Sequence, residues 1–183
     1  MHSMLPRLIS TALIATTLVF AGSTLPTAAA AQTPETETRA ANPSGLPIPR
    51  WVSIRASEVN MRTGPGARYP IDWVLQFRNL PVEVVGEFEN WRQIRAKDDT
   101  TGWVHKSMLS GSRMASVAVA RARVMQKPDS GSPVAAFVEE DVVVALDACE
   151  PEWCRVAIAS HGVEGWIPRA ALWGLYPNET VTP

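Results

Sequence analysis

Val59-Asn60-Met61-Arg62-Thr63-Gly64-Pro65-Gly66 is the stretch that decides how the chain is read. A short run rich in apolar residues breaks at a Gly-Pro-Gly turn signal, the mark of a strand that ends in a loop. It leads to Pro70-Ile71, a strand at Val82-Glu83-Val84-Val85, then Trp91-Arg92-Gln93-Ile94 and Gly102-Trp103-Val104-His105. The same succession returns further on. Arg123-Val124-Met125-Gln126-Lys127-Pro128-Asp129 leads to Pro133-Val134, a strand at Val142-Val143-Val144, then Trp153-Cys154-Arg155-Val156 and Gly165-Trp166-Ile167-Pro168.

The offset is 63 at Pro65/Pro128 and Gly102/Gly165, and 62 at Trp91/Trp153. One register held through five landmarks is an internal repeat. Each copy has roughly sixty residues, small for one hydrophobic core but within the range of domains that fold alone. Apolar residues alternate or run in threes and fours, and no sustained helical face follows the N-terminal segment, so the expectation is all-β. Five short strands closing into a small barrel suit each copy. Lys106-Ser107-Met108-Leu109 and Arg169-Ala170-Ala171-Leu172 fit one tight helical turn each.

Outside the repeats, residues 1–31 carry Arg7, an apolar run from Leu8 to Ala21, then Pro26 and small residues up to Ala31. This reads as a secretory signal peptide, cleaved after Ala31. The apolar run is too short to span a bilayer as an anchor, which needs about twenty residues. Residues 32–50 hold four prolines and little to bury, and read as a disordered linker. The expected division is therefore signal 1–31, linker 32–50, copies at 51–113 and 114–176, and a tail at 177–183.

The repeated motifs resemble the bacterial Src-homology-3-like domains, called SH3b. Val59-Asn60-Met61-Arg62-Thr63-Gly64-Pro65-Gly66 looks like that family's opening motif, and Trp91 followed by Gly102-Trp103-Val104 looks like its later half. The resemblance covers about residues 52–174 and implies two tandem small barrels. It also implies that the tryptophan after the second loop, and a residue just past the later Gly-aromatic pair, lie in a ligand groove. That carry-over gives Trp91, His105 and Met108 in the first copy, with Tyr69 completing the groove, and Trp153 and Pro168 in the second. The second copy has Lys127-Pro128-Asp129 where the first has Gly64-Pro65-Gly66, so its first long loop must differ.

Cys149 and Cys154 flank a four-residue loop joining strands around Val144 and Val156. Facing positions on adjacent antiparallel strands lie about 4.5–5.5 Å apart at Cα, within disulfide range, and an oxidising compartment would preserve the bond. A structural disulfide is expected. Zinc would need four ligands, and beyond residue 31 the only histidines are His105 and His161. The gap also misses the Cys-X-X-Cys redox spacing.

No catalytic constellation emerges. Gly64-Pro65-Gly66 is followed by Tyr69 where a dinucleotide fingerprint needs a third glycine, and no phosphate loop, zinc-protease motif or nucleophile elbow is present. Asp98-Asp99 and Glu139-Glu140-Asp141 read as solvated loop charges, because catalytic carboxylates need burial to shift their pKa. Neither a catalytic residue nor a cofactor or metal is assigned. Net charge is -1 over 183 residues, which gives no electrostatic hold on nucleic acid.

Seven tryptophans, nearly all within the repeats, exceed what two such small cores can fully bury, so some should line surface grooves. Trp91 and Trp153 follow acidic loops, Glu87-Phe88-Glu89-Asn90 and Glu150-Pro151-Glu152, which suggests an acidic rim suited to a cationic or amide-bearing peptide. Trp51, Trp73 and Trp173 suit packing at copy edges or between copies. Residues 52–113 carry net +2 and residues 116–174 net -3, and the joint Ser110-Gly111-Ser112-Arg113-Met114-Ala115 is short, so the copies should touch. The expected protein is an exported, non-catalytic module that binds a cell-wall peptide or an envelope protein. The rival is an envelope assembly protein without a groove; a cell-wall-modifying role comes third.

Overall fold

The computed structural model describes residues 42–182. The expected signal peptide and the first part of the expected linker lie outside the described residues. Short, β-branched-rich segments separated by turns give fourteen strands and two single 3-10 turns among the described residues. The first domain comprises β1 (Arg50–Ile54), β2 (Val59–Arg62), β3 (Ile71–Leu75), β4 (Pro81–Phe88), β5 (Trp91–Arg95), β6 (Thr101–His105) and β7 (Leu109–Ser110). The second comprises β8 (Met114–Val117), β9 (Arg121–Met125), β10 (Val134–Glu139), β11 (Val143–Cys149), β12 (Trp153–Ile158), β13 (Val163–Pro168) and β14 (Leu172–Trp173).

Strand order is β3-β2-β6-β5-β4-β1-β7 in the first sheet and β10-β9-β13-β12-β11-β8-β14 in the second. The repeat in sequence is thus a repeat in topology. The 3-10 turns, Lys106–Met108 and Arg169–Ala171, fall where the sequence places one tight turn in each copy. Each sheet has seven strands, not five, and its two edge strands do not join, so neither closes as a barrel. The extra strands are β1, which starts inside the expected linker, and β7, whose two residues are too short to leave a periodic signal.

Alternation puts Met61, Val82, Val84, Ile94 and Val104 inside the first domain and Val124, Val144, Val156 and Ile167 inside the second. The glycines at the start of the repeated Gly-Trp pair serve this packing. A Cβ on Gly165 would sit 2.6 Å from the Met125 carbonyl oxygen, so only glycine lets β13 and β9 approach.

Two expected boundaries are corrected. Residues 42–50 are held on the first domain: Ser44 donates from its backbone N–H (2.9 Å) and its hydroxyl (2.7 Å) to the Glu87 carboxylate, and Arg50 begins β1. A register shift between Val84 and Gly86 turns Glu87 inward, where its fully buried carboxylate also meets Arg50 at 2.7 Å and Arg92 at 3.1 Å. A buried carboxylate needs such partners. Likewise residues 177–182 are no free tail. Val181 is buried and pairs with Cys149, and the Arg169 guanidinium donates to the carbonyls of Tyr176 (2.7 Å), Pro177 (2.9 Å), Glu179 and Glu150 (3.2 Å).

The copies do touch. Glu83 lies on the face of β4 opposite the first core, yet it is only 3% exposed, because the second domain covers it. Tyr176 Oη donates to Glu83 Oε1 at 2.7 Å, and Trp51, opposite Glu83 on β1, packs edge-on against Trp173 with ring centroids 4.8 Å apart. Lys97 of the first domain meets Asp141 (2.7 Å) and Glu140 (3.4 Å) of the second. Trp51 and Trp173 are interface residues, as their positions in the sequence suggest. Trp73 is not: it stands 56% exposed on the edge strand β3.

Candidate functional site: the aromatic outer faces

Side chains that alternate away from the core form an outer face on each sheet. In the first domain Trp91 pairs with His105 and Gln93 with Trp103 across β5 and β6, and Trp103 pairs with Arg62 of β2. The Trp91 and His105 rings meet edge-on at 5.5 Å. His105 Nδ1 lies 2.7 Å from the Ser107 hydroxyl, which fixes the imidazole at the start of the 3-10 turn. Met108, at the end of that turn, is half-buried against the first core.

Tyr69 is held in its own loop. Its ring lies on Gly64, where a Cβ would come within 2.5 Å of Cδ1, and its carbonyl accepts from Arg62 Nη1 at 2.7 Å. The Gly-Pro-Gly signal therefore has a local cause: the loop folds back over its own glycine. The expected acidic rim beside Trp91 is corrected in one member, since Glu87 turns inward to Ser44, Arg50 and Arg92. Burial pushes the Glu87 carboxyl up, but the two Ser44 hydrogen bonds, with Arg50 and Arg92, outweigh it and hold it below the usual carboxylate range.

In the second domain Trp153 pairs with Pro168 and Arg155 with Trp166 across β12 and β13, in the same register. Here Trp153 and Pro168 line one groove of about 260 Å³, joined by Met125, Ser130, Arg121 and Arg123. Arg121 and Arg123 are exposed, two positions apart on β9, and the Arg121 guanidinium stacks over the Phe137 ring at 4.1 Å. This stacking fixes a cation beside an apolar floor. At the corresponding positions of the first copy stand Glu58 and Asn60, so the two outer faces differ in charge.

The two arginines were missed in the sequence. Their signal was there: charged residues two apart on a strand point to one side, and Arg121-Ala122-Arg123 is such a pattern. Trp103 and Trp166, which the sequence leaves between core and groove, stand half-buried on the outer faces.

A disulfide joins Cys149 and Cys154, which face each other across β11 and β12 with Cα atoms 4.1 Å apart. It closes the loop that presents Trp153. Among the described residues no group of three or more His, Cys, Asp or Glu could hold a metal ion, and no helix is long and apolar enough to cross a membrane.

A family model described as "Bacterial SH3 domain" matches residues 55–111 and again 118–174. The chain belongs to the bacterial SH3 domain family. Each match takes in six of the seven strands of one sheet, all but β1 in the first and β8 in the second, so each sheet contains one bacterial SH3 domain. No curated protein matches the chain. Two solved structures are similar to it: NlpC2 from Trichomonas vaginalis (17% identity, TM-score 0.32, covering 68% of this chain and 48% of that one) and NlpC1 from the same organism (16%, 0.32, 69% and 46%). The chain thus spans about half the length of either.

Proposed function

We propose that the protein is an exported, non-catalytic binding module whose second SH3 domain takes a carboxylate-bearing peptide of the cell wall, or of an envelope protein, into the Trp153–Pro168 groove. The observation that carries this reading is the convergence on one groove of an indole, a proline, Met125 and two exposed guanidinium groups. Apolar surface gives such a ligand its burial, and Arg121 and Arg123, which line the groove where Glu150 and Glu152 do not, give a carboxylate its partner in place of the cationic ligand expected from the acidic loop. The signal-like residues 1–31 and the Cys149–Cys154 bridge support export. In the first domain Trp91 and His105 stand at the corresponding positions, Met108 packs on the core and Tyr69 on its own loop, and Glu58 and Asn60 give this face a different ligand preference.

The test is retention of the chain from Gln32 onward on purified cell-wall sacculi and, in parallel, on immobilised soluble envelope proteins. Loss of retention in Trp153→Ala, with Trp91→Ala as comparison, supports the reading. Retention unchanged by both substitutions refutes it. A second reading, assembly with a partner subunit, draws on Ile71, Trp73, Val74 and Phe77, all exposed on or just after the edge strand β3. Sedimentation that depends on concentration would favour it.

A further inference from the structure

Beside Trp173 the facing surfaces of the two domains part and leave a groove of about 660 Å³. Leu75, Phe77, Leu80 and Pro81 line it from the first domain, Val143 and Trp173 from the second. Phe77 is 69% exposed, an aromatic side chain left mostly in water at the edge of a largely apolar cleft. Such an arrangement leaves apolar area available for burial by an occupant. The walls are linked across the domains: Lys97 and Asp141 both line the groove and pair at 2.7 Å, and Trp173, which also lines it, packs on Trp51. A preformed cleft of this size is in the range of ligand sites.

The charge at its rim is one-sided. Lys97, Asp98 and Asp141 are the charged residues among its lining, and Lys97 is already engaged by Asp141 and by Glu140 beside it. Asp98 lines the groove with one oxygen accepting from the Thr100 backbone N–H at 3.1 Å, a bond that also holds the carboxyl below its ordinary pKa. The rim therefore offers an ionised carboxylate with coordination to spare, next to the apolar cleft.

We propose that this interdomain groove binds a basic peptide segment of a partner protein, with one aliphatic or aromatic side chain between Phe77 and Trp173 and a neighbouring lysine or arginine beside Asp98. Its ligand is opposite in charge to that of the Trp153–Pro168 groove. The two sites therefore take different chains, and the chain joins them as an adaptor. The ligand of this groove does not depend on the outer-face reading; the adaptor role rests on it.

Indole resonances of the ¹⁵N-labelled chain from Gln32 onward test it, because Trp173 reports on this groove, Trp153 on the other and Trp91 on the first outer face. The probes are the peptides acetyl-Ala-Lys-Leu-Lys-Ala-amide and acetyl-Ala-Glu-Leu-Glu-Ala-amide. The lysine peptide is expected to shift the Trp173 indole saturably while Trp153 and Trp91 stay in place, and the glutamate peptide to leave Trp173 unmoved. Phe77→Ser should weaken the lysine peptide about tenfold, the loss of one buried aromatic contact. Asp98→Asn keeps the acceptor for Thr100 and should weaken it several-fold, with a flatter salt dependence. Both side chains are exposed, so neither change should unfold the protein. A Trp173 indole that ignores the lysine peptide, that responds equally to the glutamate peptide, or that binds unchanged in Phe77→Ser overturns the proposal. So does a Trp173 shift that follows the concentration of the chain itself, since a second copy would then be the occupant.

Discussion

Tyr176 Oη donates a 2.7 Å hydrogen bond to Glu83 Oε1, tying the segment after the last strand of the second domain to a carboxylate on the outer face of the first. Glu83 also accepts from Arg95 Nε at 3.0 Å on its other oxygen, so both oxygens are used in a place that neither domain alone would shield from water. Burial, then the bond to Glu83, raises the Tyr176 hydroxyl pKa, which keeps it a donor. Tyr176→Phe leaves Glu83 Oε1 buried without its partner. Equilibrium unfolding in urea should show a loss of about 1–2 kcal/mol. Unchanged stability would mean the two domains hold together without this bond.

Glu87 sets an acid limit on stability. Its folded pKa lies below the ordinary carboxylate value, so its contribution is present above about pH 4.3, the unfolded value, and is lost as pH falls through the lower folded one. The thermal midpoint should fall as the pH drops below that value. Glu87→Gln should be less stable at pH 7, because Arg50 and Arg92 lose their counter-ion, and should lose less on acidification. Equal acid slopes in the two proteins would count against this assignment.

The disulfide closes a very short loop, for which chain entropy gives about 2 kcal/mol. Replacing Cys149 and Cys154 by serine should destabilise the second domain by that order. Backbone amides of β11 and β12 should then exchange faster, while those of β4 and β5 change less. Equal acceleration in both domains would show that the bridge supports the pair as one cooperative unit.

Arg169 holds the C-terminal segment through carbonyls of Tyr176, Pro177, Glu179 and Glu150. Arg169→Ala should release it, and the Cys149 amide, which donates to the Val181 carbonyl at 3.0 Å, should exchange at least about tenfold faster. An unchanged exchange rate would mean that Val181 docks by its side chain alone.

Much of this architecture was legible in the chain. Two copies, their register and the paired cysteines followed from Gly102/Gly165, Trp91/Trp153 and the Cys149–Cys154 loop, because strand alternation and turn residues are local signals. What the sequence hid depends on contacts between distant residues. Ser44 looked like linker because its partner Glu87 lies on a strand whose bulge reverses the side-chain pattern. Val181 looked like tail because its cover comes from Cys149 and the clamp of Arg169. For the candidate site, Trp153 and Pro168 come from the resemblance, whereas Arg121 and Arg123 join them in one groove only once β9 lies beside β13.

The most direct test of the central claim is the Trp153 indole resonance of the ¹⁵N-labelled chain, titrated with a soluble cell-wall stem peptide carrying free carboxylates. Saturable movement of Trp153, lost in the Arg121→Ser, Arg123→Ser double variant, is the predicted result. A Trp153 resonance that stays in place while Trp91 moves, or one that moves equally in the double variant, would contradict it.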